Sequence, residues 1–384
     1  MNFQLSEEHI MIQKAARDFA KNECLPGVIE RDENQEFPRE QINKLADLGF
    51  LGMMVPEQYG GAAMDNISYV LAMEEISKVD ASVSVCMSVN NSLVCYGLQS
   101  YASEEQKQQY LVPLAKGKKE DELYIGAFLL SEPEAGSDAT SQQTTAEEKG
   151  DHYLLNGTKN WITNGGSASV YIVIAQTDRA KGSKGITALI VEKQWPGVVV
   201  GAKENKMGIR GSDTHTVLFN DVKVPKANRI GEEGFGFTFA MKILAAGRIG
   251  IASQALGIAG GAYELAREYA KTRKAFGTEI MNHQAIAFKL ADMATKIEMA
   301  RLLCLKAAWQ KDKGQDYTLS SSMAKLFASE TAMWVTIEAV QIHGGYGFVK
   351  EYHVERLMRD AKITQIYEGT SEVQRIIISR TILK

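Results

Sequence analysis

Glu368 stands between Tyr367 and Gly369 in the run Gln365-Ile366-Tyr367-Glu368-Gly369-Thr370-Ser371-Glu372, just after a helix-like segment from Val354 to Ile363. A single carboxylate among apolar neighbours is poorly solvated, so its pKa lies above that of a surface Glu and it can take up a proton near neutral pH. Glu368 is therefore a candidate general base, although the octamer read alone also fits a solvated acid in a turn between helices. Two polar segments could line a site with it. Leu129-Leu130-Ser131-Glu132-Pro133-Glu134-Ala135-Gly136-Ser137-Asp138 and Asn160-Trp161-Ile162-Thr163-Asn164-Gly165-Gly166 supply hydroxyls and backbone N–H groups, and the Trp161 indole can cover a flat ring. Each by itself is equally an ordinary turn. Gly231-Glu232-Glu233-Gly234-Phe235-Gly236 has the wrong glycine order for a dinucleotide fingerprint and reads as a linker into a helix. Gly257-Ile258-Ala259-Gly260-Gly261 lies inside a helical pattern and reads as a surface for close helix packing.

The elements that must position these residues change character twice along the 384-residue chain, which is long enough for two or three subdomains. From Ser6 to about Tyr124 the pattern is helical, with Ser6 as the first N-cap and helices expected at Arg39 to Leu48, Ile67 to Val79 and Glu104 to Leu114. Pro56-Glu57-Gln58-Tyr59-Gly60-Gly61 is a turn between them. Beyond Tyr124 the β-branched runs Val170 to Ala175, Ile186 to Val191 and Thr214 to Val224 predict strands, and Asn156-Gly157 predicts a hairpin turn between Tyr153-Leu154-Leu155 and Lys159 to Thr163. Helices resume after Gly231 at Phe237 to Thr272, His283 to Lys313 and Leu319 to Ile342. Leu290, Met293, Ile297, Ala300, Cys304 and Ala307 recur at spacings of three and four, a seam suited to a bundle. The expected class is α+β, with an N-terminal α-helical domain (1–124), a small middle β-domain of barrel or sandwich type (125–230) and a C-terminal four-helix bundle (231–384).

Composition narrows the function. A formal net charge of −4 without a dense Lys/Arg cluster gives no footprint for nucleic acid. Cys24, Cys86, Cys95 and Cys304 form no CxxC pair and read as reduced structural thiols, and the six histidines lack metal-ligand spacing, so no metal is expected. The N-terminus has no signal-like run and no apolar stretch reads as long enough to span a bilayer, which predicts a cytoplasmic protein not bound to membranes.

Across its whole length the sequence resembles the acyl-CoA dehydrogenase family, FAD flavoproteins that oxidise acyl-CoA thioesters to trans-2-enoyl-CoA. The resemblance is carried by Leu130-Ser131-Glu132-Pro133 with Gly136-Ser137-Asp138, Trp161-Ile162-Thr163-Asn164-Gly165, Arg273-Lys274-Ala275-Phe276-Gly277, His283-Gln284-Ala285-Ile286, Gln341-Ile342-His343-Gly344-Gly345-Tyr346-Gly347, and Arg359-Asp360-Ala361-Lys362 through Glu368-Gly369-Thr370. It implies that Glu368 is the base and that its N–H, with a flavin ribityl hydroxyl, holds the thioester oxygen. It places Phe128, Leu130, Ser131, Trp161 and Thr163 around the isoalloxazine, with Ser131 where the family more often has Thr. Arg273, Phe276, Gln284, Gln341, Gly344 and Gly345 match positions for the FAD pyrophosphate and adenosine, partly from a neighbouring subunit, and Thr370 and Glu372 match flavin contacts beyond the base. Ser137, Ser183 and Arg248 match ligand positions at the CoA end, and Tyr367 joins the substrate site; Ala245 stands where relatives commonly carry Asp.

The resemblance further implies a homotetramer, with electron-transferring flavoprotein as the redox partner. Gly247 occupies the position that carries the base in some relatives with branched or long substrates, and Ser84 to Val94 lacks the Arg of glutaryl enzymes. The first favours the short- and medium-chain branch and the second argues against a glutaryl substrate, while the overall similarity is greatest to short-chain (butyryl-CoA) enzymes. An acyl-CoA oxidase or a non-catalytic acyl-CoA-binding paralogue are the alternatives.

Overall fold

Ser6 opens the first helix, Glu7–Phe19, through a reciprocal cap in which its hydroxyl accepts from the His9 N–H at 3.2 Å while His9 Nδ1 accepts from the Ser6 N–H at 3.3 Å. The structure is a computed structural model and describes residues 4–384. The expected helices follow as Arg39–Asp47 and Asn66–Ser77, and the segment expected at Glu104 to Leu114 forms as Glu104–Gln106, a π-turn Lys107–Leu111 and Val112–Lys116. A further helical stretch went unread: Ala81–Ser88 continues through a π-turn, Val89–Cys95, into Tyr96–Tyr101. It is buried on nearly every side, so it carries no polar stripe by which a helix is recognised. Lys118 to Leu123 form a short hairpin in which Lys118 pairs with Leu123 across left-handed Glu120 and Asp121.

The middle of the chain forms an eight-stranded sheet. From one edge its strands run Arg229–Ile230, Ile186–Glu192, Val170–Gln176, Thr145–Lys149, His152–Thr163, Thr214–Pro225 and Val198–Lys203, and Gly126–Leu129 pairs in parallel with Val170–Gln176. The Asn156-Gly157 expectation needs correction. Those residues lie inside the single strand His152–Thr163, at a bulge facing Thr214–Pro225, and the turn falls earlier, between Lys149 and its partner His152. Gly157 serves close approach here: a Cβ on it would lie 2.5 Å from Thr144 Oγ1. Asn156 instead exchanges two 2.9 Å hydrogen bonds with left-handed Asp221 on the neighbouring strand.

The long helices Gly236–Thr272, Gln284–Asp312 and Thr318–His343 pack against one another, with His353–Ile363 beside the first and third and Ser371–Ile382 beside the third. Met293, Ile297, Ala300, Cys304 and Ala307 of the predicted seam are buried, and Leu290 is half-buried. Gly257 and Gly261 let Gly236–Thr272 approach Asn66–Ser77, since a Cβ on Gly257 would lie 2.5 Å from Ser77 Cβ. By length and composition Gly236–Thr272 could cross a membrane, contrary to the sequence expectation, but its apolar stretch is buried as the central helix of the fold.

Candidate active site

After His353–Ile363 the chain folds back on itself: Tyr367 N–H donates to Ile363 O at 3.1 Å and Ser371 N–H to Gln365 O at 3.0 Å. Thr370 then caps Ser371–Ile382, accepting from the Val373 N–H. At the tip Glu368 and Gly369 both adopt left-handed backbone, with φ of 52° and 93°. Glycine does so freely, whereas for Glu368 it costs about 1–2 kcal/mol. The loop thus aims Glu368 inward at Gly247 on Gly236–Thr272. Its Oε2 is buried and meets no hydrogen-bond donor among the described residues. Burial pushes the carboxyl up to about 7, with Lys325 and then Arg248 opposing the rise. Two more hydroxyl-bearing elements lie nearby: Tyr69 donates to Ser88 at 3.0 Å, and Tyr367 donates to Gln254, whose amide in turn donates to Ala81 O at 2.9 Å.

Lys325 is a site residue that sequence reading missed. It is fully buried, and its Nζ donates to Gly369 O at 2.7 Å. Arg248, expected at the CoA end, is buried close enough to Glu368 to act on its charge, and burial pushes its own pKa down.

The two polar segments of the β-domain come together. Asn160 N–H donates to Ser131 O at 2.9 Å. Beneath them lies Lys159, fully buried, its Nζ donating to Leu130 O at 3.0 Å, Glu132 Oε1 at 2.8 Å and Gln142 Oε1 at 3.1 Å. Burial pushes Lys159 down to about 8, against the pull of Glu132. Alternation could have found this lysine, because it follows Tyr153 and Leu155 on the inward parity of the strand. A second register shift between Lys159 and Ile162, with Trp161 left-handed at φ 58°, turns the indole outward and leaves it 53% exposed. Thr163 follows it, half-buried, and Phe128 is half-buried on Gly126–Leu129.

Ser137 and Ser183 are exposed on neighbouring turns joined by Arg179, which donates to the Gln143 side chain at 2.9 Å and its carbonyl at 3.1 Å. The Gly231–Gly236 linker lies against the Ser183 turn, with Gly234 N–H donating to Thr187 at 3.1 Å. Glu372 is exposed in the first turn of its helix, and Ala245 is buried.

The remaining expected residues form a separate surface group. Arg273, Phe276, Gln284, Gln341, Gly344 and Gly345 are all exposed, the Arg273 guanidinium lying 5.6 Å from the Tyr346 ring centre and the Phe276 ring 5.9 Å from that of His283. Gln341 follows Lys325 by sixteen residues on one helix, about 24 Å of rise. The structure therefore does not bring this group to the base within one chain.

An extended flat-ringed cofactor with a diphosphate fits what is present. Trp161 and Phe276 offer uncovered aromatic surface, Arg273 a fixed positive charge, and a Cβ on Gly344 or Gly345 would meet nothing within 4 Å among the described residues.

Helical, β and helical parts follow one another along the chain, and a desolvated carboxylate is held between the Glu368 loop and the helix Gly236–Thr272. Models of the acyl-CoA dehydrogenase N-terminal, middle and C-terminal domains match residues 6–118, 127–222 and 234–383. The chain belongs to the acyl-CoA dehydrogenase family, oxidoreductases that depend on FAD. It is 50% identical to the short-chain specific acyl-CoA dehydrogenase of Clostridium acetobutylicum over all of both chains. The butyryl-CoA dehydrogenase structure from Megasphaera elsdenii superposes with a TM-score of 0.97 at 48% identity, covering 100% of each chain. A chain from a structure described as the electron transferring flavoprotein of Acidaminococcus fermentans gives 0.98 at 50% identity, again covering 100% of each.

Proposed function

We propose that this enzyme dehydrogenates short-chain acyl-CoA thioesters to trans-2-enoyl-CoA, with Glu368 as the base that removes the α-proton. The observation that carries the reading is the buried Glu368 carboxylate, whose Oε2 has no donor among the described residues and which burial raises toward neutrality. The α-proton of a thioester is far too weakly acidic for a carboxylate in water. Desolvation raises the basicity of Glu368, and a donor on the carbonyl oxygen stabilises the developing enolate. The Glu368 N–H is that donor, and its Oε2 receives the proton. FAD, when bound, supplies the hydride acceptor at the β-carbon. Phe128, Leu130, Ser131, Trp161 and Thr163 would line its ring, with Thr370 and Glu372 beside it. Arg273, Phe276, Gln284, Gln341, Gly344 and Gly345 would hold the diphosphate and adenosine end of a cofactor bound mainly to a neighbouring subunit. Their separation from the base within one chain supports that sharing, and a homotetramer is the assembly we assign. Ser137, Ser183 and Arg248 would meet the CoA thioester, with Tyr367 beside its acyl end.

The short-chain reading is supported by the names of the full-length relatives and by Leu93, which packs against Gly247 in a segment without arginine. Electron-transferring flavoprotein is the acceptor we assign, the cytoplasm the compartment, and 1–124, 125–230 and 231–384 the domains. An anaerobic titration of the yellow holoenzyme with acyl-CoA esters of increasing length tests the function. Butyryl-CoA should bleach the flavin most fully; an equal response to octanoyl-CoA overturns the short-chain assignment, and no bleaching with any ester overturns the activity. Peroxide formation without an added acceptor would identify an oxidase.

A further inference from the structure

Lys325 lies on the helix Thr318–His343 with no solvent exposure. Burying an ammonium costs several kcal/mol, so a lysine is a poor choice at a position that only needs filling. Its hydrogen bond goes to Gly369 O, and that carbonyl already has a neutral donor, because Gln374 Nε2 reaches it at 2.8 Å and Glu368 O at 3.3 Å. Two donors thus grip the carbonyls of the two left-handed residues at the tip of the loop. The gain from lysine over a second amide is its charge. The charged groups that act on Lys325 are Glu368, Arg248 and Glu372; those on Glu368 are Lys325 and Arg248, and its own charge reaches the Tyr69 and Tyr367 phenols.

We propose that Lys325 is a positioning residue for proton abstraction: its ammonium fixes the Gly369 carbonyl, keeps Glu368 in the left-handed conformation that aims its carboxylate at Gly247, and balances the charge of that carboxylate. The inference rests on Glu368 being the base. Burial pushes Lys325 down to about 7, and the charge of Glu368 opposes that fall. Removing the cation should leave Glu368 harder to ionise.

The test uses flavin-loaded wild type, Lys325→Met, Lys325→Gln and Glu368→Gln, with butyryl-CoA and a dye acceptor from about pH 6 to about pH 9. Both Lys325 variants should keep their flavin and a KM within about twofold of wild type, while kcat near neutrality falls about tenfold and its acid limb moves up by about one pH unit. The loss should shrink in alkaline buffer. A kcat loss that is the same at every pH, or that merely tracks lost flavin and a lowered melting midpoint, makes Lys325 a packing residue and overturns the proposal. If Lys325→Met does not fold, Lys325→Gln, which keeps a donor but no charge, decides by the same criteria. Glu368→Gln separates the two ideas: an active Glu368→Gln sinks the base, whereas an inert one beside unchanged Lys325 variants sinks only the role of Lys325.

Discussion

Gly247 and Glu368 are fitted to each other across the helix–loop interface: a Cβ on Gly247 would fall inside contact distance of Glu368 Oε2 and only 2.7 Å from Leu93 Cδ2. The missing side chain is the space that the carboxylate occupies. Gly247→Ala should therefore displace the end of a flexible glutamate rather than the backbone, leaving the fold and flavin content close to wild type. A reacting group misplaced by about 1 Å loses about a hundredfold in rate, and kcat for butyryl-CoA should fall on that scale. Steady-state kinetics beside thermal melting checks this; equal turnover would show that the carboxylate does not work from this position.

The pH dependence follows from the same carboxylate. Because burial raises Glu368 to about 7, its basic form is present above that pH and disappears as pH falls. The kcat/KM profile of the free enzyme should therefore lose activity tenfold per unit on the acid side of about pH 7. Glu368→Gln should bind acyl-CoA and flavin yet stay inert across the profile. An acid limb near the ordinary glutamate value would mean that the carboxylate is solvated in solution.

Much of this arrangement was legible in the residues. The helix Gln284–Asp312 announced itself by three- and four-residue apolar spacing, and the acid between Tyr367 and Gly369 stood out as poorly solvated. Ala81–Ser88 did not, because a helix buried all round has no contrast between faces. Asn156-Gly157 misled because the pair has the chemistry of a turn but is used at a bulge, where glycine makes room for Thr144. Lys325 and Arg248 were invisible as neighbours of Glu368: a charge at 325 and an acid at 368 meet only through the packing of one helix on the loop that follows another.

Lys159 and Glu132 pin the Ser131 and Trp161 segments together from beneath, and both are almost wholly buried. Lys159→Met leaves the Glu132 carboxylate without its cation, a change that costs about 3–5 kcal/mol when a buried pair is broken from one side. Unfolding by denaturant should report that loss in the midpoint with little change in slope. Flavin should also dissociate more readily, since Leu130 O loses the donor that fixes it. A stable variant with full flavin affinity would show that the loop holds its shape without the pair.

Phe276 is 97% exposed and Phe348 86%, unusual for aromatic side chains of a folded chain, and Phe276 belongs to the surface group with Arg273 and Gln341. Covering a phenyl ring is worth about 1.5–3 kcal/mol, so these rings form a surface that gains by being covered. If the group completes a neighbour's site, Phe276→Ser should weaken assembly and flavin retention together, although no residue near Glu368 has changed. Sedimentation of the yellow protein, with absorbance at flavin and protein wavelengths, reads both at once. Arg273→Gln should give the complementary result, losing flavin through the diphosphate while leaving the apolar contact to hold the oligomer. Were Phe276→Ser to leave flavin and assembly intact, the surface group would be solvent-facing in the working enzyme and the cofactor would have to be bound by one chain alone.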